Sequence, residues 1–277
     1  MIMKKFGLIG HPIAHSLSPA LFKAAFGGRY TYDLIEEEDF EKAYGRFMEE
    51  YDAINVTAPF KESAYLKADS ASEECKAVGA ANILVKGQEI FAANSDVLGV
   101  TGALRQYGTD SNPDGKALIV GCGGAAKAAA YAMWKELGHE TFIINRNVEK
   151  ARQFVSRLKA AGGNGQRIEA AGLERFRELF RAADVIIYTL PLALPALYKL
   201  SRTDIRGGIL SCRKKVILEA NYKDPAFTPE LKNRIQQTNH DLVFIPGQEW
   251  LLHQAIGAYR LFVSDEPDTE AMRPIIE

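Results

Sequence analysis

An α/β protein of two domains is what this sequence predicts, and three observations predict it. Short apolar runs alternate with longer amphipathic stretches almost to the end of the chain, the rhythm of a parallel sheet covered by helices. A glycine-rich turn from Gly121 to Ala126 stands between an apolar strand and an Ala-rich helix. The run GTDSNPDG at residues 108–115 concentrates turn formers and breaks the pattern once. The 277 residues, 47% of them apolar, suffice for two packed cores.

Residues 4–10 read as a first strand, because their apolar run is shorter than a signal-peptide core or a membrane span requires. Helix 18–26, strand 30–36, helix 39–51 and strands 53–56 and 83–85 complete an N-terminal α/β unit. Residues 96–107 have helical spacing and lead to the break. Beyond it come strand 117–120, helix 124–137, strand 141–145, helix 148–160 and strand 185–189, a succession resembling the start of a doubly wound nucleotide-binding domain. Strand 216–221, helix 228–237, strand 241–245 and helix 247–262 close the series.

Composition excludes several partners. Thirty-four basic residues nearly cancel thirty-five acidic ones, so no global field attracts nucleic acid or an acidic membrane surface. Cys75, Cys122 and Cys212 are far apart, with neither zinc-site pairing nor disulfide density, which points to a reducing, cytoplasmic compartment and no metal.

Gly121-Cys122-Gly123-Gly124-Ala125-Ala126 fits G-x-G-x-x-G/A in the strand–loop–helix setting that dinucleotide binding needs. Gly121 permits the tight turn, and Gly123 lets backbone N–H groups, with those of Gly124 and Ala125, approach a pyrophosphate. Small Ala126 lets the helix pack close to the strand. A turn that merely needs glycines is the plainer alternative. Where an NAD-binding domain would place an acid after the second strand, the sequence reads Asn145-Arg146-Asn147. Arg146, helped by Lys150, suits a 2′-phosphate and therefore NADP, against the alternative of solvated cations.

Polar residues gather at the ends of the N-terminal strands. Gly10-His11-Pro12-Ile13-Ala14-His15-Ser16-Leu17-Ser18-Pro19 follows the first, and Ser18-Pro19 reads as a helix cap followed by proline at the first helical position. Capping leaves Ser16 unexplained, and two hydroxyls at a helix N-terminus suit a carboxylate. Thr57 and Lys61 in NVTAPFK, then Asn82, then the run Asn94-Ser95-Asp96 lie at other strand ends, which line the binding crevice of an α/β sheet. Taken singly, Lys61 reads as a solvated cation and Asp96 as a helix cap.

HSLSP, NVTAPFK, AVGAAN, ANSD, GCGGAAK and INRN, followed by GQEWLLHQA, occur in the order and approximate spacing of the shikimate dehydrogenase family, which the chain resembles over nearly its whole length. The resemblance implies a catalytic pair in Lys61 and Asp96, and carboxylate binding by Ser16 and Ser18. It also implies hydroxyl contacts from Thr57, Asn82 and Gln254. Tyr222 resembles another substrate-side residue, although the proline of Asn221-Tyr222-Lys223-Asp224-Pro225 comes one position late. Asn145 and Gly247 join the cofactor set. The family further implies a discontinuous substrate domain, 1–99 with 247–277, an NADP-binding Rossmann-like domain, 100–246, and a cleft between them. The implied reaction is reversible reduction of 3-dehydroshikimate to shikimate by NADPH, in a monomer or homodimer. Tyr188-Thr189-Leu190-Pro191-Leu192-Ala193 departs from the family's N-x-T-P-x-G-like run at the nicotinamide side, and NSD for NTD and Asn147 for threonine are milder changes. The competing readings are a quinate/shikimate dehydrogenase using NAD and a dinucleotide sensor without catalysis.

Overall fold

The computed structural model describes residues 4–108, 115–162, 165, 167–208, 214–263 and 265–277. Cys212 and most of the turn-rich break at 108–115 lie outside them. Two compact units emerge, residues 1–99 with 251–277 and residues 100–250.

The first unit contains β1 (Lys5–Gly10), α1 (Ser18–Phe26), β2 (Thr31–Glu36), α2 (Phe40–Glu50), β3 (Ala53–Val56), α3 (Lys61–Lys67), β4 (Ser70–Ala71), α4 (Glu73–Val78), β5 (Ile83–Lys86) and β6 (Ile90–Ala93). Helix α5 (Asp96–Gln106) begins in it and continues into the second unit. Its sheet runs β2-β1-β3-β5-β6-β4. Strand alternation sends Phe6 and Ala53 to one core, with Phe22, Tyr259 and Phe262, and sends Ile9, Ile54 and Val56 to the other, with Phe47 and Phe60. The expected all-parallel sheet is corrected here: β5 is antiparallel to both β3 and β6. The β5–β6 reversal follows from the short return at Gly87, whose N–H donates to the Glu89 carbonyl (3.1 Å) and leaves no room for a crossover helix.

The capping of α1 also differs from expectation. Helix α1 starts at Ser18 itself, with Leu17 at the cap position and Pro19 in the first turn. Ser16 Oγ accepts the Ser18 N–H (3.2 Å), so the hydroxyl two residues earlier does the work assigned to Ser18.

The second unit contains β7 (Lys116–Val120), α6 (Gly124–Tyr131), β8 (Glu140–Ile144), α7 (Val148–Ala160), β9 (Ile168–Ala171), α8 (Phe176–Ala182), β10 (Val185–Tyr188), α9 (Pro195–Tyr198), α10 (Arg202–Arg206), β11 (Lys215–Glu219), α11 (Pro229–Thr238) and β12 (Leu242–Ile245). Helix α12 (Gly247–Phe262) opens in this unit and ends in the first, which α13 (Thr269–Met272) completes. The order β12-β11-β10-β7-β8-β9, parallel throughout, is the doubly wound arrangement with its switch point between β7 and β10. The helix expected over 124–137 is α-helical only to Tyr131, and Ala132–Glu136 continues it as one π turn.

An ion network around one buried carboxylate ties α8 to α10. The Asp204 side chain is fully buried and receives Arg177 (2.7 Å) and Arg181 (2.6 Å). The Ser201 N–H donates to its Oδ2 (2.9 Å), completing a capping box. Burial alone would push this carboxyl up, but the Ser201 N–H and the Arg181 and Arg177 guanidiniums hold it well below the usual carboxylate range. A depressed folded-state value means stability that is fully present above about pH 4 and is lost as the pH falls further. Asp204→Asn is expected to cost about 3 kcal/mol at neutral pH. Thermal melts should show its Tm deficit shrinking below about pH 4, and a deficit independent of pH would show that the carboxylate charge contributes nothing.

Candidate functional site

In the first unit, strand direction gathers the polar residues named from the sequence. Strands β1 and β3 run parallel and finish side by side; β5, antiparallel to β3, starts there, and β6, antiparallel to β5, ends there. Asn82 precedes β5, with Val56 N–H donating to its carbonyl (2.8 Å) and its own N–H donating to Ala93 O (3.1 Å). Gly10 and Thr57 are so close that a Cβ on Gly10 would stand 2.4 Å from Thr57 Cγ2. The His11 N–H donates to Ala58 O (3.1 Å), fastening the loop that carries Ser16 and leads into α1 at Ser18 to the loop that carries Thr57.

Lys61 Nζ meets Asp96 Oδ2 at 2.5 Å, with side chains 15% and 8% exposed. This pair is poorly hydrated and strongly directional. Lys61 stands first in α3, where a cation opposes the helix dipole at a cost of about 0.3–1 kcal/mol. A local rule broken in this way marks a site. Asp96 is the first residue of α5, and its N–H is taken by Asn94 Oδ1 (3.1 Å), so the helix-cap reading passes from Asp96 to Asn94.

Ser16 Oγ lies 3.1 Å from Ser18 Oγ. Asn82 is held by the Ser95 N–H, which donates to its Oδ1 (2.8 Å). That bond turns the Asn82 Nδ2 toward Ser95 Oγ (3.1 Å) and Gln254 Oε1 (3.3 Å). Gln254 Nε2 donates to Leu251 O (3.2 Å), which fixes its orientation in turn. Two amide side chains with assigned faces and two serine hydroxyls make a surface that distinguishes hydroxyl donors from acceptors.

Sequence reasoning named Asn94 and Ser95 only as part of a polar run, and it missed Tyr32 and Asn55. The Tyr32 hydroxyl donates to Asn55 Oδ1 (2.8 Å), while Asn55 Nδ2 donates to Asn82 O (3.3 Å). Burial pushes the Tyr32 phenol far above its ordinary range, so it stays neutral. An asparagine inside the apolar strand AINV was the available signal for this link.

In the second unit the glycine loop leaves β7 at the switch point. Gly121 has φ +117°, and a Cβ there would stand 2.5 Å from Thr189 Oγ1, so both conformation and space demand glycine. Ala126 is buried beside it. Gly123 is exposed with open space at its Cα, and as the cap residue of α6 it offers the first-turn N–H groups of Gly124 and Ala125 no side-chain acceptor. At the end of β8, Asn145 Nδ2 donates to Asn147 O (3.0 Å), and Asn147 Oδ1 accepts the Lys150 N–H (3.1 Å), capping α7. Arg146 and Lys150 are exposed and make no ion pair among the described residues.

The segment that departs from the family pattern has its own clasp. The buried Tyr188 hydroxyl donates to Leu192 O (2.7 Å) and accepts the Leu194 N–H (2.9 Å), so one side chain closes the 189–194 loop. The late proline is likewise accommodated, because Asn221 Oδ1 accepts the N–H groups of Lys223 and Asp224 while its Nδ2 donates to Asp224 O. Tyr222 and Gly247 line a cavity of about 130 Å³ with Glu219, Lys232 and Phe244. Burial raises the Tyr222 phenol above its usual value. A Cβ on Gly247 would stand 2.5 Å from Glu219 O, a packing requirement for glycine that acts whether or not a cofactor is near. No helix among the described residues is long and apolar enough to cross a membrane, and none of their His, Cys, Asp and Glu residues cluster as a metal site.

Residues 8–84 match the family model of the shikimate dehydrogenase substrate binding domain, and residues 104–199 match that of shikimate / quinate 5-dehydrogenase. The NADP(+) shikimate dehydrogenase of Rubrobacter xylanophilus is 31% identical over 278 residues, covering 96% of this chain and 93% of that protein. The pentafunctional AROM polypeptide of Kluyveromyces lactis is also 31% identical; the match takes in 97% of this chain but only 17% of that polypeptide. Shikimate 5-dehydrogenase from Thermus thermophilus, solved with NADP(H) and shikimate, superposes with a TM-score of 0.77 at 27% identity, over 99% of this chain and 98% of that one.

Proposed function

The chain belongs to the shikimate dehydrogenase family, and on that premise we propose that it reduces 3-dehydroshikimate to shikimate reversibly with NADPH, a step of aromatic amino-acid biosynthesis. The observation that carries this reading is the Lys61–Asp96 pair at 2.5 Å, surrounded by oriented serine, asparagine and glutamine side chains. It is an NADP-dependent oxidoreductase acting on a secondary alcohol.

The glycine loop fits the cofactor, because Gly123 leaves the backbone open and the first-turn N–H groups of α6 face no side-chain cap. Gly121, Gly123, Gly124, Ala125 and Ala126 would hold the pyrophosphate, with Asn145, Arg146 and Lys150 at the phosphorylated ribose and Gly247 at the nicotinamide half. When bound, NADP supplies or accepts the hydride. Lys61 and Asp96 move the proton: Lys61 Nζ hydrogen-bonds the reacting oxygen, and the Asp96 carboxylate orients that ammonium and the neighbouring hydroxyl. Thr57, Asn82, Gln254 and Tyr222 read the remaining hydroxyls, because an analogue lacking one strands a desolvated partner.

Ser16 and Ser18 bind the carboxylate, exchanging their mutual hydrogen bond for charge-assisted ones. Substituting both with alanine is expected to raise the substrate KM by roughly 10–150-fold per lost contact, equivalent to about 1.5–3 kcal/mol each, with losses that do not add fully. Melting curves measured beside the kinetics separate this from loss of the Ser16 contact to the Ser18 N–H. An unchanged KM would remove the carboxylate role.

Cys75 and Cys122 are buried thiols, which suits a cytoplasmic enzyme, and we assign it there as a monomer or homodimer acting on small molecules. The reaction itself is tested by NADPH oxidation dependent on added 3-dehydroshikimate. Shikimate as the product supports it, and absence of turnover returns the chain to the sensor reading.

A further inference from the structure

Asn94 has no part in the chemistry above, yet it is 1% exposed and lies directly before the site, after the last residue of β6. Its Oδ1 accepts the Asp96 N–H at 3.1 Å, and its Nδ2 donates to Ala80 O at 2.7 Å. These two bonds fix which end of the amide faces which neighbour. The Ala80 carbonyl and the Ala81 N–H belong to one planar peptide group, and that N–H donates to the Lys61 carbonyl at 2.8 Å. A directed chain of hydrogen bonds therefore runs from the Asp96 backbone, through the Asn94 amide and the 80–81 peptide, to the Lys61 backbone. It joins the first residue of α5 to the first residue of α3, the two positions that carry the proton-handling side chains.

We propose that Asn94 is a positioning residue that sets the separation and alignment of Lys61 and Asp96. Both planar groups in the chain resist bending, and hydrogen bonds in series strengthen one another in a buried setting. Ser95 does not serve the same end, because it fixes Asn82 through its backbone N–H, which any replacement side chain retains. The role assigned to Asn94 rests on the proposed catalytic pair.

Asn94→Ala removes both bonds, leaving Asp96 N–H without that acceptor and Ala80 O with the Cys75 Sγ at 3.4 Å. Misplacing a reacting group by about 1 Å can cost 10²-fold, so kcat is expected to fall roughly 10–100-fold, with KM for shikimate and NADP within about 3-fold of wild type. Asn94→Asp keeps the size and supplies a graded rescue. Its carboxylic acid form accepts from Asp96 N–H and donates to Ala80 O, whereas its carboxylate loses the second bond and places a charge beside Asp96. The ratio of its kcat to that of wild type is therefore expected to climb as the pH is lowered, at constant KM. Ionisable side chains touching the chain or its ends are Lys61, Asp96 and Cys75, and burial pushes the Cys75 thiol up to about 12, so it does not titrate in the assay range.

Lys61→Ala and Asp96→Ala run in the same assay keep the two readings apart. If both of these lose activity while Asn94→Ala folds and keeps kcat within about 2-fold of wild type, the positioning role is overturned and the catalytic pair stands. Retention of activity by the Lys61 and Asp96 variants overturns both. Should Asn94→Ala fail to fold, Asn94→Asp decides, since a kcat ratio that does not change with pH overturns the role.

Discussion

Lys61→Ala is expected to lower kcat by about 10² or more, with a much smaller effect on cofactor KM, because positioned acid–base groups typically contribute about 10²–10⁴-fold. The structure adds reasons to expect the upper part of that range. Lys61 is the partner of Asp96 at 2.5 Å, so its removal also leaves a carboxylate that is 8% exposed without its counter-charge. The fold should survive, because Lys61 sits at a helix start where its charge opposes the dipole and its backbone bond to Ala81 remains. Steady-state kinetics with circular dichroism on the same preparation check this. A folded Lys61→Ala enzyme with near-wild-type kcat contradicts the assignment.

Arg146→Ala is expected to raise the NADP KM by about 10–150-fold and to change NAD kinetics little, the loss of one charge-assisted contact being about 1.5–3 kcal/mol. Arg146 is exposed and unpaired among the described residues, so its charge is not committed to holding the fold. Asn147 caps α7 beside it and would survive the substitution. No acid stands at the end of β8 to favour an unphosphorylated ribose and repel a 2′-phosphate. Lys150, a flexible point charge one turn into α7, would share the same phosphate, so the double substitution is expected to exceed the single one and added salt to erode the wild-type preference. Equal losses with NADP and NAD mean that Arg146 supports the adenine pocket or the fold and does not read the phosphate.

Strong periodicity made the long elements legible. Helices 18–26, 148–160 and 247–262 have the boundaries expected of them, and the succession from β7 to β12 gave the doubly wound order. Short elements were not legible. Strand β6 is four residues, IFAA, with no alternation to mark it, so the hairpin that turns β5 antiparallel stayed hidden. Strand β9, IEAA, was lost for the same reason. At the site, the ordered motifs exposed the residues that would face ligands: HSLSP, NVTAPFK, ANSD and GCGGAAK carry Ser16, Ser18, Lys61, Asp96 and the glycine turn. What holds them was hidden because it depends on pairing across the sheet. Asn94, Ser95 and Asn55 become intelligible only when β3, β5 and β6 are seen side by side. Tyr188 is the reverse case, an odd residue in a motif whose hydroxyl closes its own loop with bonds to Leu192 and Leu194.

Cofactor and substrate choice are tested together by kcat/KM for shikimate and for quinate, each paired with NADP+ and with NAD+. An NADP-dependent shikimate dehydrogenase gives its highest value with shikimate and NADP+, and loses at least about tenfold when the 2′-phosphate is absent, as one charge-assisted contact requires. A value for quinate with NAD+ equal to or above that for shikimate with NADP+ contradicts it.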